Sequence, residues 1–224
     1  MKTSKSQKFK YNTYFIAGTE NIYPKVMKNN ESKEEALIRI VKEFAINGLD
    51  VFQLRCKNLP DCDILRLIVK MKKAIENTNC KLCINDNAKI AYQTREIIDI
   101  LHIGQNDILP QEAREIIGNK IKLGLSITDI SQLENIPNCI DYLGAGPVYS
   151  TLSKTDASVP IGEIMLKSII RKTNLPVVAI GGIQIKDIKK LFNIGVSGIA
   201  VISSLLQEKN NLNSFIELKK QAKK

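Results

Sequence analysis

"SKEEALIRIVKEFAINGLDVFQLR", residues 32–55, contains one complete helix-to-strand unit. Ser32 and Glu35 have the Ser-x-x-Glu spacing of a capping box, in which each side chain accepts from a backbone N–H that the first helical turn leaves open. Ala36, Leu37, Ile40, Val41, Phe44 and Ala45 then recur at helical spacing and make one apolar stripe. Gly48 stops the helix, and LDVFQLR (49–55) changes the period from 3.6 to two. The stretch predicts an amphipathic helix delivering the chain into a strand.

The same alternation runs along the chain. Short apolar, β-branched runs recur at TYFIAG (13–18), LDVFQLR (49–55), CKLCIN (80–85), IIDILHIG (97–104), KIKLGLS (120–126), CIDYLGAG (139–146), LPVVAIGG (175–182) and VSGIAVIS (196–203), with helical spacing between them. Eight such units in 224 residues, with no break in composition and no long linker, predict a single α/β domain over residues 13–222. A (β/α)8 TIM barrel fits them better than an open doubly wound sheet. Residues 1–12 read as a basic, flexible tail.

Composition narrows the function classes. No apolar stretch approaches the ~20 residues of a membrane-spanning helix, and the polar start MKTSK does not read as a secretory signal. Five cysteines, an odd set without framework spacing, suit reduced thiols and a cytoplasmic location. Cys80 and Cys83 have metal-ligand spacing, but alternation aims them at opposite faces of a strand. The net charge of +10 raises nucleic acid as a partner, yet much of the excess sits in the terminal segments MKTSKSQKFK and ELKKQAKK. A pocket for a highly phosphorylated small molecule needs only a few of these charges.

In a barrel of this kind the chemistry gathers at the C-terminal ends of the strands. In VFQLRCK, period two puts Val51, Gln53, Arg55 and Lys57 on one face, so two cations and an amide would meet at the barrel mouth. Asn85-Asp86 after the third strand and Gln105-Asn106-Asp107 after the fourth bring two carboxylates to the same end. Asn-Asp alone also reads as a helix cap. Beside Arg55 and Lys57 the pair suits Mg²⁺ shared with a polyphosphate. Further on come Ser126, the run GAGPVYSTLSKTD (144–156), Gly181-Gly182 and Ile202-Ser203-Ser204. There glycine lets backbone N–H groups approach a phosphate, Thr151 and Ser153 donate, and Lys154 neutralises charge.

Taken in order, QLRCK, CINDN, HIGQND, GLSI, GPVYSTLSKTD, AIGGI and GIAVISS resemble the thiamine phosphate synthase family from about Tyr14 to Ser204. The resemblance implies a transferase of thiamine biosynthesis. Such an enzyme joins hydroxymethylpyrimidine diphosphate to a thiazole phosphate and releases pyrophosphate, with Mg²⁺, through a dissociative substitution. It further implies that Gln53, Arg55, Lys57, Asn85, Ser126 and Lys154 hold the pyrimidine diphosphate. Arg55, Lys57, Ser126 and Lys154 are then the catalytic set, Asp86 and Asp107 hold the metal, and Thr151, Ser153, Gly182, Ile202 and Ser203 hold the thiazole phosphate.

Small phosphorylated molecules are the expected partners, with neither nucleic acid nor membrane among them, and a homodimer is a possible assembly. Three positions depart from the family pattern: Cys56 stands for Glu, Asn87 for Arg and Thr128 for His. Thr128 bears on one alternative, a related thiazole tautomerase that relies on a histidine near this position. A phosphate-ligand sensor without turnover is the other. His102, the single histidine, reads as structural.

Overall fold

The computed structural model describes residues 11–151, 159–207 and 209–222. Eight strands carry the sheet: β1 (Thr13–Ala17), β2 (Val51–Leu54), β3 (Lys81–Asn85), β4 (Ile100–Ile103), β5 (Lys122–Ile127), β6 (Tyr142–Ala145), β7 (Val177–Ile180) and β8 (Gly198–Val201). All neighbours are parallel, and β8 pairs with β1 to close the barrel. Among the described residues seven α-helices surround it: α1 (Lys33–Ile46), α2 (Asp61–Ile75), α3 (Ala88–Gln93), α4 (Pro110–Ile117), α5 (Gly162–Lys172), α6 (Ile188–Ile194) and α7 (Asn211–Gln221). The expected basic tail falls almost wholly outside the described residues, which begin at Tyr11.

The capping box forms as its spacing predicts, with Glu35 N donating to Ser32 Oγ at 3.2 Å and Ser32 N to Glu35 Oε2 at 2.8 Å. One unit differs from the regular alternation. Between β5 and β6 the chain makes a 3₁₀ helix over Ile130–Asn135 and no α-helix. Pro137 follows two residues later, and the residue before a proline is steered out of the helical region, so the short connection has no room to propagate.

Strand parity divides the core into two layers. Phe15, Phe52, Leu54, Leu82, Leu101, Leu123 and Leu143 point outward and pack under the helices. Phe44 of α1 stacks on Phe215 of α7 with ring centroids 4.6 Å apart and meets Phe15 edge-on at 5.1 Å, tying the last helix to the first unit. Tyr14, Ile16, Val51, Cys83, Ile100, Tyr142, Val178 and Ala200 point inward and fill the barrel floor. Cys83 belongs to the inner layer and Cys80 to the outer one, as the alternation predicted.

The N-terminal end of the barrel is closed by a repeated device. Asp50, Asp99 and Asp141 each stand one residue before an even-numbered strand. Their carboxylates accept from the backbone of the strand before, from Thr13 N at 2.9 Å, Leu82 N at 3.0 Å and Leu123 N at 2.8 Å. Before β8 the position holds Ser197, whose backbone N donates to Val177 O at 2.7 Å. These carboxylates satisfy backbone donors that the strand ladders leave open at the barrel's edge.

Candidate active site

Past the inward apolar positions most strands turn polar or small on the same face, while β8 keeps the apolar Ile202 there. Val51 is followed by Gln53 and Arg55, Cys83 by Asn85, Ile100 by His102 and Gly104, Tyr142 by Gly144 and Gly146, and Ala200 by Ile202. Gln53, Arg55, Asn85, His102, Gly104, Gly144, Gly146 and Ile202 line a cavity of about 730 Å³ at the C-terminal end of the barrel, together with Asp86, Asp107, Ser126, Thr151, Gly182 and Ser203. The volume lies within the range that small-molecule sites occupy.

On the β2 to β5 side the polar groups are mutually held. Gln53 is only 3% exposed, and its Nε2 donates to Asn85 Oδ1 at 2.6 Å, which orients both amides and avoids an unpaired buried group. His102, 8% exposed, is bracketed by Tyr142 Oη on Nδ1 and Ser126 Oγ on Nε2, both at 2.9 Å. Gly124 and Gly144 on the neighbouring strands make this possible. A Cβ on Gly144 would come 2.9 Å from His102 Cε1, and one on Gly124 would come 2.5 Å from His102 Nδ1. Gln105 completes this side by donating from Nε2 to Ser126 O at 2.7 Å.

The helix cap expected of Asn85-Asp86 falls one residue later. Asn87 takes the cap, its Oδ1 accepting from Ile90 N at 2.9 Å at the start of α3. Asp86 is left to face the cavity, on a backbone with φ +64° fixed by Asp86 N donating to His102 O at 2.7 Å. Asp107 enters from the next unit and accepts from Gly104 N at 2.6 Å through Oδ2, which leaves the carboxylate further lone pairs. Among the described residues no group of three or more His, Cys, Asp or Glu forms a closed metal cage. Two hard oxygen donors from adjacent strand ends fit Mg²⁺, which takes one or two carboxylates and completes its shell with water and substrate phosphate.

The β6 to β8 side is built from backbone. Val148 N donates to Ile180 O at 2.8 Å and Tyr149 N to Gly181 O at 3.0 Å, so the loop after β6 lies along the end of β7. Gly182, at φ +66°, permits the contact, since a Cβ there would come 2.5 Å from Ser150 O. Thr151 and Ser203 border the cavity beside it.

The cavity therefore gathers Gln53, Arg55, Asn85, Asp86, Asp107, Ser126, Thr151, Gly182, Ile202 and Ser203. Lys57 is exposed and does not line it; β2 ends at Leu54, so the alternation that aligned Lys57 with Gln53 and Arg55 stops short of it. Ser153 and Lys154 lie outside the described residues. Cys56 packs against the outer core, and burial pushes its thiol up to about 12. Thr128 lines the cavity, its N–H held by Gln132 Oε1 at 2.8 Å. His102, read from sequence as structural, proves to be a cavity residue as well; its parity with Ile100 and Gly104, opposite two strand glycines, was the available signal.

A family model described as "Thiamine monophosphate synthase" matches residues 23–205. The chain is 36% identical over 187 residues to a thiamine-phosphate synthase of Methanobrevibacter smithii, covering 83% of this chain and 88% of that one. It is 34% identical over 201 residues to one of Lactococcus lactis subsp. cremoris, covering 88% of each. The solved structure of a thiamine phosphate pyrophosphorylase from Pyrococcus furiosus superimposes with a TM-score of 0.80 at 26% identity, covering 97% of this chain and 98% of that one.

Proposed function

The chain belongs to the thiamine monophosphate synthase family and is a transferase of thiamine biosynthesis, and we propose that its barrel cavity joins hydroxymethylpyrimidine diphosphate to hydroxyethylthiazole phosphate. The observation that carries this reading is the division of one cavity into two chemically distinct walls. One wall has amide, guanidinium and carboxylate groups from β2 to β5, and the other has hydroxyls and close-packed backbone from β6 to β8.

Gln53, Arg55, Asn85 and Ser126 hold the pyrimidine diphosphate in this proposal, and Thr151, Gly182, Ile202 and Ser203 hold the thiazole phosphate. Lys57, Ser153 and Lys154 are assigned to these sites on sequence alone. The bond between the pyrimidine methylene carbon and its diphosphate oxygen breaks heterolytically, and the oxygen keeps the electron pair. The thiazole nitrogen then gives its lone pair to that carbon to form the new C–N bond.

Arg55 faces the charge that grows on the leaving group, and a donor already in place there does not have to reorganise as the charge develops. Asp86 and Asp107 would hold Mg²⁺, which when bound supplies Lewis-acid stabilisation of the departing diphosphate. His102 positions Ser126. In the tautomer protonated on Nε2, Nδ1 accepts from the Tyr142 hydroxyl, Nε2–H donates to Ser126 Oγ, and the serine hydroxyl is left to donate to a substrate oxygen. No protein nucleophile is required.

Among the described residues no helix is long and apolar enough to cross a membrane. A cytoplasmic setting with free small-molecule substrates accords with that and with five free cysteines. The direct test supplies both substrates with Mg²⁺ and measures thiamine phosphate and pyrophosphate, expected in equal amounts and abolished by EDTA. Pyrophosphate release without thiamine phosphate would refute the condensation.

A further inference from the structure

Outside the groups assigned to the reaction, one charged side chain joins three elements around the β6 to β8 wall. The first residues of α5 fold back onto the loop after β6, with Ile161 N donating to Pro147 O at 2.8 Å and Gly162 N to Val148 O at 3.1 Å. One residue further along both segments the pairing continues through side chains, and Tyr149 Oη donates to Glu163 Oε1 at 2.7 Å. The second carboxylate oxygen of Glu163 meets Lys190 Nζ at 2.7 Å. Lys190 belongs to α6, the helix that follows β7 and its Gly181-Gly182 turn. Glu163 thus connects the unit that ends in Tyr149 and Thr151 to the unit that carries Gly182.

We propose that Glu163 is a positioning residue that, through Tyr149, holds the loop after β6 against Gly182 and thereby sets the affinity for the thiazole phosphate. This rests on the assignment of that wall made above. The two loops touch backbone to backbone, since a Cβ on Gly182 would come 2.5 Å from Ser150 O and 2.7 Å from Tyr149 O. A site shared between two loops binds weakly when each must be ordered as the ligand arrives, and a latch fixed beforehand removes that cost.

The ion pair alone is a weak candidate for the effect. Lys190 is 64% exposed and Glu163 25%, and exposed pairs contribute little. The Tyr149 bond differs because its acceptor is charged and its ring packs against the core. Burial, together with the carboxylate of Glu163, raises the tyrosine hydroxyl well above its ordinary range, so it stays a donor throughout the working pH range.

Tyr149→Phe, Glu163→Ala and the double variant, in the full chain, test the latch with two readouts. Each single change should raise the thiazole phosphate KM about 5- to 10-fold while kcat and the pyrimidine diphosphate KM stay within about twofold, the mark of lost ground-state binding. The double variant should do no more than the larger single one, because both break one contact. Backbone amides of residues 149–151 should exchange with solvent about tenfold faster in every variant, without substrate present. Unchanged exchange would overturn the latch itself. Faster exchange with an unchanged KM, or an equal loss in kcat and both KM values, would overturn its positioning role. If the unaltered enzyme made no thiamine phosphate, the functional assignment would fail while amide exchange still decided whether the latch exists.

Discussion

Asp86 and Asp107 stand at the ends of adjacent strands, whereas Gly182 and Ser203 lie across the cavity. Asp86→Asn or Asp107→Asn should therefore weaken Mg²⁺-dependent turnover by about 10²-fold or more and leave thiazole phosphate binding nearly intact, since loss of one charge-stabilising group commonly has that size. Kinetics across a Mg²⁺ titration, with calorimetric binding of the thiazole phosphate, measure both arms; full activity in EDTA would remove the metal from the reaction. Gly144→Ala addresses His102. The new methyl would sit 2.9 Å from His102 Cε1 and 3.2 Å from Nε2, so the ring must move off its 2.9 Å contact with Ser126. Overpacking of this kind costs about 1–3 kcal/mol of stability. A higher pyrimidine diphosphate KM should accompany it, and an unchanged KM would show that Ser126 does not depend on the imidazole.

Two elements owe their placement to carboxylates that do not line the cavity. Asp50 Oδ2 accepts from Asn12 N at 3.1 Å, Thr13 N at 2.9 Å and Thr13 Oγ1 at 2.8 Å, holding the start of β1 against β2. Asp50→Ala leaves partly buried donors without a partner and should lower stability by about 2–3 kcal/mol in urea unfolding. Activity at low temperature should survive, because the change is at the opposite end of the barrel from the site. Glu31 anchors the connection between β1 and α1, where Arg39 Nε and Nη2 donate to its two oxygens at 2.7 and 2.8 Å. The Arg39 guanidinium is the main reason that the Glu31 carboxyl falls from 4.5 to about 2. A depressed folded value means stabilisation present above pH 4.5 and lost as pH falls through about 2. Glu31→Gln lacks this titration. The stability difference between the two proteins should thus shrink across that window, and a constant difference would show that the pair does not set the carboxyl's affinity for protons.

For the molecule as a whole, the charge of +10 calls for a test separate from catalysis. Deleting residues 1–10 should weaken any salt-sensitive DNA binding without altering turnover, and sequence-specific, salt-resistant binding by the shortened protein would contradict that. The barrel itself was written in local pattern. Period-two runs, the Ser32 capping box and the Gly48 stop each act within a few residues, so all eight strands could be located before any long-range contact was known. Gln53, Asn85 and Ser126 were legible for the same reason, because strand parity carries a residue to the barrel mouth wherever the strand continues, and Arg55 follows because its N still donates to Ala17 O at 3.1 Å. Lys57 shows where that logic ends: a strand's last residue depends on its neighbours' ladder, and β2 stops at Leu54. The role of His102 was hidden because it depends on Tyr142, 40 residues away, and on Ser126, 24 away. The Glu163 contacts join three elements from two units, and no sequence period relates them. What the sequence by itself determined was the set of strands and the inward-facing positions within them, with most of the helices, since these follow from local dihedral preference and hydrophobic alternation. Only the tertiary structure decided which polar groups meet, because closing β8 on β1 brings distant strand ends together around one cavity.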